Sequence, residues 1–367
     1  MEVREILDVF RSADPSALKA KYLAEGRKVV LTAPVYTPEE IIHSMGLVPM
    51  GVWGADVLLE RSKRYFPAFI CSVVQSIVEL GMRGTYDGAS AIVIPSLCDS
   101  LKVVGQNWKY AVPSIPFIPM TYPQNRASEA GRAFTKAGYL RVIRDLEAAT
   151  GAKFSAQALA DSIKIYNEHN AVMRRFGREA GKYLSAADRS AVFKSAFFMP
   201  KEEHAALVKK LLAALEGEKP LSGPSVVTTG ILADSPAILA KLDELGLRIA
   251  ADDVAAESRQ YRTDAPETGD PLDALAAKFA GMGCCSVLLD PEKRRADLIV
   301  DSVRETGASG VLALQTKFCD PEEFDHVIIK KACAAAGIPL LAVEVDRQMA
   351  NFGQAETMLE AFSERLG

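Results

Sequence analysis

The residues of this sequence best suited to chemistry are among its six cysteines. Cys71, Cys98 and Cys319 each lie in a predicted loop, directly before a predicted helix. A thiolate at a helix N-terminus is stabilised by unpaired backbone N–H groups and by the helix dipole. Thiolates are also the ligands of iron–sulfur clusters, and three of them would leave one iron open to a small ligand or substrate. The count alone leaves open that these cysteines are small buried hydrophobic residues.

The other cysteines and the histidines give weaker signals. Cys284 and Cys285 are adjacent, which does not suit two ligands of one structural zinc ion, and we interpret them as part of a buried or half-buried turn. Cys333 lies on a predicted helix and is interpreted as a core or surface thiol. The four histidines form no HExxH motif, and the chain contains no P-loop, GxGxxG or GxSxG motif. ATP hydrolysis by this chain itself is therefore not expected.

A run of charged residues follows one predicted strand. Asp252, Asp253 and Glu257 stand close to Arg259 and Arg262. The spacing fits either a solvated face or a network that closes two lobes, and it does not choose between them.

Short apolar runs alternate with helical patterns at both ends of the chain, which predicts parallel α/β sheets. The predicted strands of the first part are Lys28–Leu31, Leu47–Gly51, Ala91–Pro95 and Ser114–Met120, and those of the second part are Ser225–Thr229, Arg248–Ala251, Gly310–Leu314 and Pro339–Val345. The segment Ser286–Leu289 fits either a short strand or the end of a helix. Helical spacing in the middle predicts helices over Arg141–Ala149, Ala156–Glu168, Ala191–Phe197 and Lys201–Leu215.

One pattern occurs twice. A strand, a loop with Cys98-Asp99, a helix and a strand that begins with Ile-Pro recur around Cys319-Asp320. Because functional loops lie at the carboxyl ends of parallel strands, Cys98 and Cys319 are predicted to occupy equivalent positions in two lobes.

Length and composition agree with this organisation. The 367 residues suggest about two domains, and 49% hydrophobic and 25% charged residues are typical of globular chains. The net charge of −4 argues against nucleic acid as the main partner. No apolar run is long enough for a membrane helix, and no signal peptide is recognised, so we expect a cytoplasmic protein. We predict an N-terminal helical segment (1–26), a first α/β lobe (27–130), a helical connecting region (131–220) and a second α/β lobe (221–367).

Several long motifs carry a resemblance to a known family. They are PVYTPEEIIHSMGLVPMGVWG, YFPAFICSVVQSIVELG, PSLCDSLKVVGQNWK, YPQNR, TGILADS, ADDVAAESRQYR and TKFCDPEEFD. From about Val30 to the C-terminus, the chain resembles the β subunits of (R)-2-hydroxyacyl-CoA dehydratases, which act on lactoyl-, 2-hydroxyglutaryl-, 2-hydroxyisocaproyl- or phenyllactoyl-CoA. Benzoyl-CoA reductase subunits are more distant members of the same superfamily.

The resemblance implies two Rossmann- or flavodoxin-like lobes with a [4Fe-4S] cluster in the cleft between them. The matching ligands are Cys71, Cys98 and Cys319. It also implies a related α subunit with its own cluster, where the acyl-CoA substrate mainly binds, and a separate ATP-hydrolysing iron–sulfur activator. In the family, one low-potential electron converts the thioester to a ketyl radical anion that expels the 2-hydroxyl group, giving a 2-enoyl-CoA. The β cluster would then relay or store the electron, and the chain would hold few catalytic residues.

Two positions depart from the family pattern. The family commonly has one cysteine near Cys285, whereas here Cys284 precedes it, a doubling that resembles relatives with a double-cubane cluster. Cys285 is therefore kept as an additional, weaker ligand candidate. Thr316 stands where relatives often have methionine.

Three functions remain open at this point. The first is the cluster-bearing subunit of a radical dehydratase. The second is a subunit of an ATP-dependent reductase of the benzoyl-CoA or double-cubane type. The third is a non-catalytic scaffold whose cysteines bind no cluster, or one that binds zinc instead.

Overall fold

The computed structural model describes residues 2–348 and 352–367 and contains two parallel β-sheets. The first sheet has the strand order β2–β1–β3–β4 and comprises β1 (Val29–Thr32), β2 (Val48–Gly51), β3 (Ala91–Pro95) and β4 (Phe117–Met120). The helices before and between these strands are α1 (Val3–Arg11), α2 (Pro15–Ala24), α3 (Glu39–Ser44), α4 (Ser72–Met82) and α5 (Asp99–Ala111). Strands β1 and β3 are buried along their whole length, as expected for a sheet covered on both faces.

Four helices form the middle of the chain: α6 (Glu129–Thr150), α7 (Ala156–Glu179), α8 (Ala186–Ser195) and α9 (Lys201–Leu215). Serine hydroxyls cap the first three, because Ser128, Ser155 and Ser185 accept hydrogen bonds from backbone N–H groups in the first helical turn. Helix α7 runs eleven residues beyond the predicted end at Glu168, since Val172, Met173 and Phe176 continue its buried face.

The second sheet repeats the first, with the order β6–β5–β7–β8. It comprises β5 (Ser225–Gly230), β6 (Arg248–Val254), β7 (Gly310–Thr316) and β8 (Leu340–Val345), and its helices are α10 (Pro236–Glu244), α11 (Pro271–Gly281), α12 (Arg295–Thr306), α13 (Asp320–Ala335) and α14 (Gly353–Leu366). The predicted α/β fold with two parallel-sheet lobes is confirmed. The repeated pattern around Cys98 and Cys319 also corresponds to a repeated structure, because these residues follow β3 and β7, the third strand of each sheet.

Two local predictions need correction. The strand predicted over Ser114–Met120 begins only at Phe117, because Pro116 has no N–H group to donate to a neighbouring strand. The segment Ser286–Leu289, for which a short strand or the end of a helix was predicted, forms neither. It is a turn before α12.

The lobes share one hydrophobic core, to which the end of α8 contributes. Phe197 and Phe198 follow α8 and pack with apolar residues of both sheets. Gly51, at the end of β2, donates its N–H group to the Phe197 carbonyl at 2.9 Å, and a Cβ atom on this residue would lie 2.9 Å from the Phe197 side chain. The close approach requires glycine at this position and joins the end of β2 to the segment after α8. Among the described residues, no helix has the length and apolarity needed to cross a membrane.

Candidate metal centre

Three cysteines from the two lobes line one cavity of about 560 Å³. Cys71, Cys98 and Cys319 are the residues directly before α4, α5 and α13, so each occupies a helix N-cap position. The loops after β2 and β3 supply the first two, and the loop after β7 supplies the third. The structure therefore brings together the three cysteines that the sequence analysis singled out.

The surroundings of these thiols oppose a free thiolate. Burial raises the pKa of Cys71 to about 11, although the backbone N–H groups of Val73 and Val74 act in the opposite sense. Burial also raises the pKa of Cys98, and it raises that of Cys319 well above the ordinary value with a further contribution from the neighbouring Cys71. A buried thiol with a raised pKa is a poor nucleophile. Bound iron would supply the missing positive charge, so this donor set fits a metal centre better than covalent catalysis.

The described residues, 2–348 and 352–367, contain no group of three or more His, Cys, Asp or Glu side chains arranged to hold a single metal ion. A cubane cluster requires a different arrangement, because each cysteine thiolate binds a different iron atom and the cysteine sulfur atoms lie farther apart than the ligands of one ion. Three cysteine thiols around a wide cavity are consistent with that arrangement.

The walls of this cavity are largely apolar. Val35, Trp53, Leu97 and Ile231 lie around the cysteines, and the exposed ring of Phe324 stands at the rim. Apolar walls lower the polarity around a bound cluster, a property that controls its reduction potential.

Trp53 lines this cavity and two others. One, of about 90 Å³, is lined by polar groups that include Glu39, Tyr166 and Lys201. The other, of about 240 Å³, is lined mainly by apolar side chains such as Phe193 and includes Glu257. Trp53 is therefore common to the linings of all three cavities.

A buried ionic cluster anchors the helix that carries Cys319. The Glu322 carboxylate, only 6% exposed, accepts hydrogen bonds from Arg295 Nη2 at 2.7 Å, Ser286 Oγ at 2.6 Å and Arg259 Nη1 at 3.1 Å. The Glu322 backbone N–H group donates to the Cys319 carbonyl at 3.0 Å. Glu322 therefore connects the first turn of α13, next to the cysteine, to two other segments of the second lobe.

The same cluster extends to the end of β6. Arg259 and Arg295 both pair with the Asp253 carboxylate, at 3.1 and 2.6 Å, and Arg295 also reaches Asp325 at 3.2 Å. These arginines hold the pKa of Asp253 far below its usual range, against the effect of burial. The charged run at the end of this strand is thus a buried network that joins the second lobe to α8, because Asp252 and Glu257 pair with Arg189. The interpretation as a solvated face is wrong.

Comparisons with known proteins agree with this arrangement. Residues 34–366 match the model of the family described as 2-hydroxyglutaryl-CoA dehydratase, D-component. The chain belongs to this family. It is 46% identical over 346 residues to the (R)-phenyllactyl-CoA dehydratase beta subunit of Clostridium sporogenes, covering 93% of this chain and 92% of the relative. It is 40% identical to the lactoyl-CoA dehydratase subunit beta of Anaerotignum propionicum (97% and 96% covered), and 39% identical to the (R)-2-hydroxyglutaryl-CoA dehydratase subunit beta of Acidaminococcus fermentans (100% of both).

The remaining cysteines of this dehydratase-family chain lie apart from the first three. The Cys285 thiol is buried and faces Arg259 Nη1 at 3.7 Å, and neither it nor Cys284 belongs to the cavity lining, whereas Ser286 does. Cys333 is buried in an apolar cluster between α12 and α13. The structure thus supports interpreting Cys333 as a core thiol.

Sequence reasoning missed Glu322, Arg295, Trp53 and Arg347. Trp53 and Glu322 lie within quoted motifs, yet no spacing rule marks them as parts of a site. Only the folded structure shows which surfaces and partners they share.

Proposed function

We propose that this chain is the β subunit of a 2-hydroxyacyl-CoA dehydratase and that Cys71, Cys98 and Cys319 hold a [4Fe-4S] cluster. The observation that carries the proposal is the convergence of these three N-cap thiols in one largely apolar cavity between the lobes. The names of the relatives, all beta subunits of acyl-CoA dehydratases, support it.

When bound, the cluster would supply the capacity to store and pass on one electron. The reaction needs that capacity because the β-proton of a 2-hydroxyacyl-CoA is not acidified by the thioester, which makes an ordinary acid–base elimination difficult.

The chain's own residues would hold the cluster and surround it. The backbone N–H groups at the start of α4, α5 and α13 point toward the thiols and favour their charged form. The largely apolar walls, which include Trp53, lower the polarity around the thiols, and Glu322 fixes the turn next to Cys319.

The beta-subunit names also indicate the assembly. We propose that a related α subunit with its own cluster binds most of the acyl-CoA, and that an ATP-hydrolysing iron–sulfur activator delivers the electron. This chain lacks a P-loop, consistent with ATP hydrolysis by a separate protein. Activity in the cytoplasm is part of the same proposal.

The test is the iron and acid-labile sulfide content per chain after purification without oxygen, combined with EPR of the dithionite-reduced protein. We expect about four irons and about four sulfides. About eight irons would favour a reductase of the double-cubane type instead. A colourless protein without iron, or one with zinc and no sulfide, would contradict the proposal and favour a scaffold.

Cysteine variants assign the ligands. We expect Cys98→Ser and Cys319→Ser to lose most of the iron, whereas Cys333→Ser, a matched control on α13, should retain it. Cys285→Ser tests the weaker ligand candidate, and we expect iron retention because its thiol faces Arg259. Full iron in both of the first two variants would refute the assignment.

A further inference from the structure

Arg347 lies in the second lobe, just after β8, and its side chain reaches into the first lobe. The guanidinium is only 6% exposed and forms a planar, bidentate pair with Asp234, from Nη1 to Oδ1 and from Nη2 to Oδ2, both at 3.0 Å. Asp234 follows β5 in the second lobe. This pairing fixes the orientation of the guanidinium within its own lobe.

The remaining donors of Arg347 cross to the first lobe. Nη1 contacts Asp56 Oδ1 at 3.1 Å, and Nη2 donates to the Trp53 carbonyl at 3.2 Å. The Arg347 backbone N–H group donates to Ser72 Oγ at 3.1 Å. Ser72 is the residue after Cys71, so the crossing contact is made next to a candidate ligand.

The helical middle of the chain reaches the same point. Lys194 on α8 contacts Asp234 Oδ2 at 3.3 Å. Asp234 therefore receives one cation from the middle helices and one from Arg347, and the first lobe joins this group through the Arg347 guanidinium.

A small cavity of about 30 Å³ adjoins the contact. Arg347 Nε, Ser235 Oγ and Thr316 Oγ1 are buried without a hydrogen-bond partner, and all three residues line it. The volume suffices for a water molecule, and three polar atoms are the usual number of partners for a buried one. This small cavity lies between β7, which leads to Cys319, and the start of α4, which follows Cys71.

We propose that Arg347 is a positioning residue that holds the two lobes in the register that brings Cys71 and Cys98 to Cys319. The role rests on the proposed function, because the register matters for a group that is bound from both lobes. Arg347 itself does not line the cysteine cavity, and it acts through the segments around Trp53, Ser72 and Asp234.

The test compares the anaerobically purified wild type with Arg347→Met, Arg347→Lys and Asp56→Asn. Arg304→Met is the matched control, because Arg304 pairs with Asp301 on the surface of one helix and does not connect the lobes. The measurements are iron per chain, the midpoint potential from an EPR-monitored titration, and hydrogen exchange of peptides from α4 and β3.

We expect Arg347→Met to exchange at least about tenfold faster over α4, with unchanged protection of β3, because a buried ion pair is lost at the contact between the lobes but not in the core. Its iron content should fall about twofold or more, and the potential of the remaining cluster should rise, since water admitted at the cleft favours the more charged reduced state. Arg347→Lys should lie between Met and the wild type, because an ammonium group cannot reproduce the fork. Asp56→Asn should give a smaller shift in the same direction, since Asp56 is 44% exposed.

Wild-type exchange, iron and potential in Arg347→Met would overturn the proposal. If that variant fails to fold, the Lys and Asn variants decide in the same way, and wild-type values in both of them overturn it. A wild type that contains no iron contradicts the proposed function, but exchange over α4 still shows whether Arg347 joins the lobes.

Discussion

Replacement of Glu322 by glutamine tests whether the buried ionic cluster holds the cysteine-bearing end of α13. Glutamine keeps the size of the side chain and an oxygen for Ser286. It removes the charge that faces Arg259 and Arg295, and it replaces the oxygen that accepts from Arg295 with an NH2 group that cannot accept. We expect the variant to fold with a lower free energy of unfolding.

The magnitude follows from the surroundings of the carboxylate. Removing one partner of a buried ion pair costs about 3–5 kcal/mol, because a charge remains buried without compensation. Here both arginines keep the Asp253 carboxylate, and Arg295 also keeps Asp325. The loss should therefore lie near the lower end, about 3 kcal/mol, well above the ~0–1 kcal/mol of an exposed pair.

The assay is equilibrium unfolding in urea. The free energy of unfolding is the midpoint concentration of urea multiplied by the dependence of that free energy on urea concentration, which should be the same in all variants. Glu323→Gln is the matched control, because Glu323 is the next residue of the same helical turn and its side chain is exposed. The control should change the free energy of unfolding by less than about 0.5 kcal/mol.

A double-mutant cycle with Arg295→Met separates the charge effect from a packing effect. If the penalty of each single variant comes from an uncompensated buried charge, the double variant should lose less stability than the sum of the two, by about 1 kcal/mol or more. A loss below about 1 kcal/mol for Glu322→Gln, or strictly additive losses, would refute the reasoning.

Two further predictions concern the cavities around Trp53. Burial raises the pKa of Glu257 to about 7, although Arg189 opposes the shift, so the folded state binds this proton more tightly than the unfolded chain and stability should fall as the pH rises from about 4.5 to about 7. Glu257→Gln should remove this part of the slope in melting temperatures measured across that range, and an unchanged slope would contradict the assignment. Because Trp53 lines all three cavities, Trp53→Ala should join them and accelerate the loss of cluster absorbance in air. Trp53→Phe keeps an aromatic ring at this position and should lose the absorbance more slowly. Equal rates in both variants would show that the ring is not a barrier.

The elements around the site were predictable because their signals are local. Buried runs flanked by helix N-cap positions indicate strands and the helices that follow them, and the repeated Cys-Asp pair placed Cys98 and Cys319 after equivalent strands. Apart from Ser286–Leu289, which forms a turn, the errors lay at element ends, where prolines or a continuing apolar face decide the boundary. Helix α7 and strand β4 are the examples.

The polar contacts that hold the site were not predictable, because their partners are distant in sequence. Arg347 and Asp56 are 291 positions apart, and Arg259 and Glu322 are 63 positions apart. Charge spacing within one segment contains no information on such partners. For this reason the run from Asp252 to Arg262 fitted a solvated face as well as a network that closes two lobes, until the fold placed Arg189, Arg295 and Glu322 against it.

The repeated sheet accounts for the positions of two of the three thiols, whereas the third, Cys71, has no counterpart from the second lobe in the cavity. Cys98 and Cys319 occupy equivalent positions after β3 and β7. Cys71 lies in the β2–β3 connection, whose counterpart in the second lobe, between β6 and β7, carries Arg259 and Cys285. There Cys285 faces the guanidinium rather than the cavity. Two strictly equivalent lobes would place four thiols in the cavity. In the second lobe, Arg259 of the ionic cluster contacts the thiol of this connection outside the cavity, which leaves the three-thiol set that the proposed function requires.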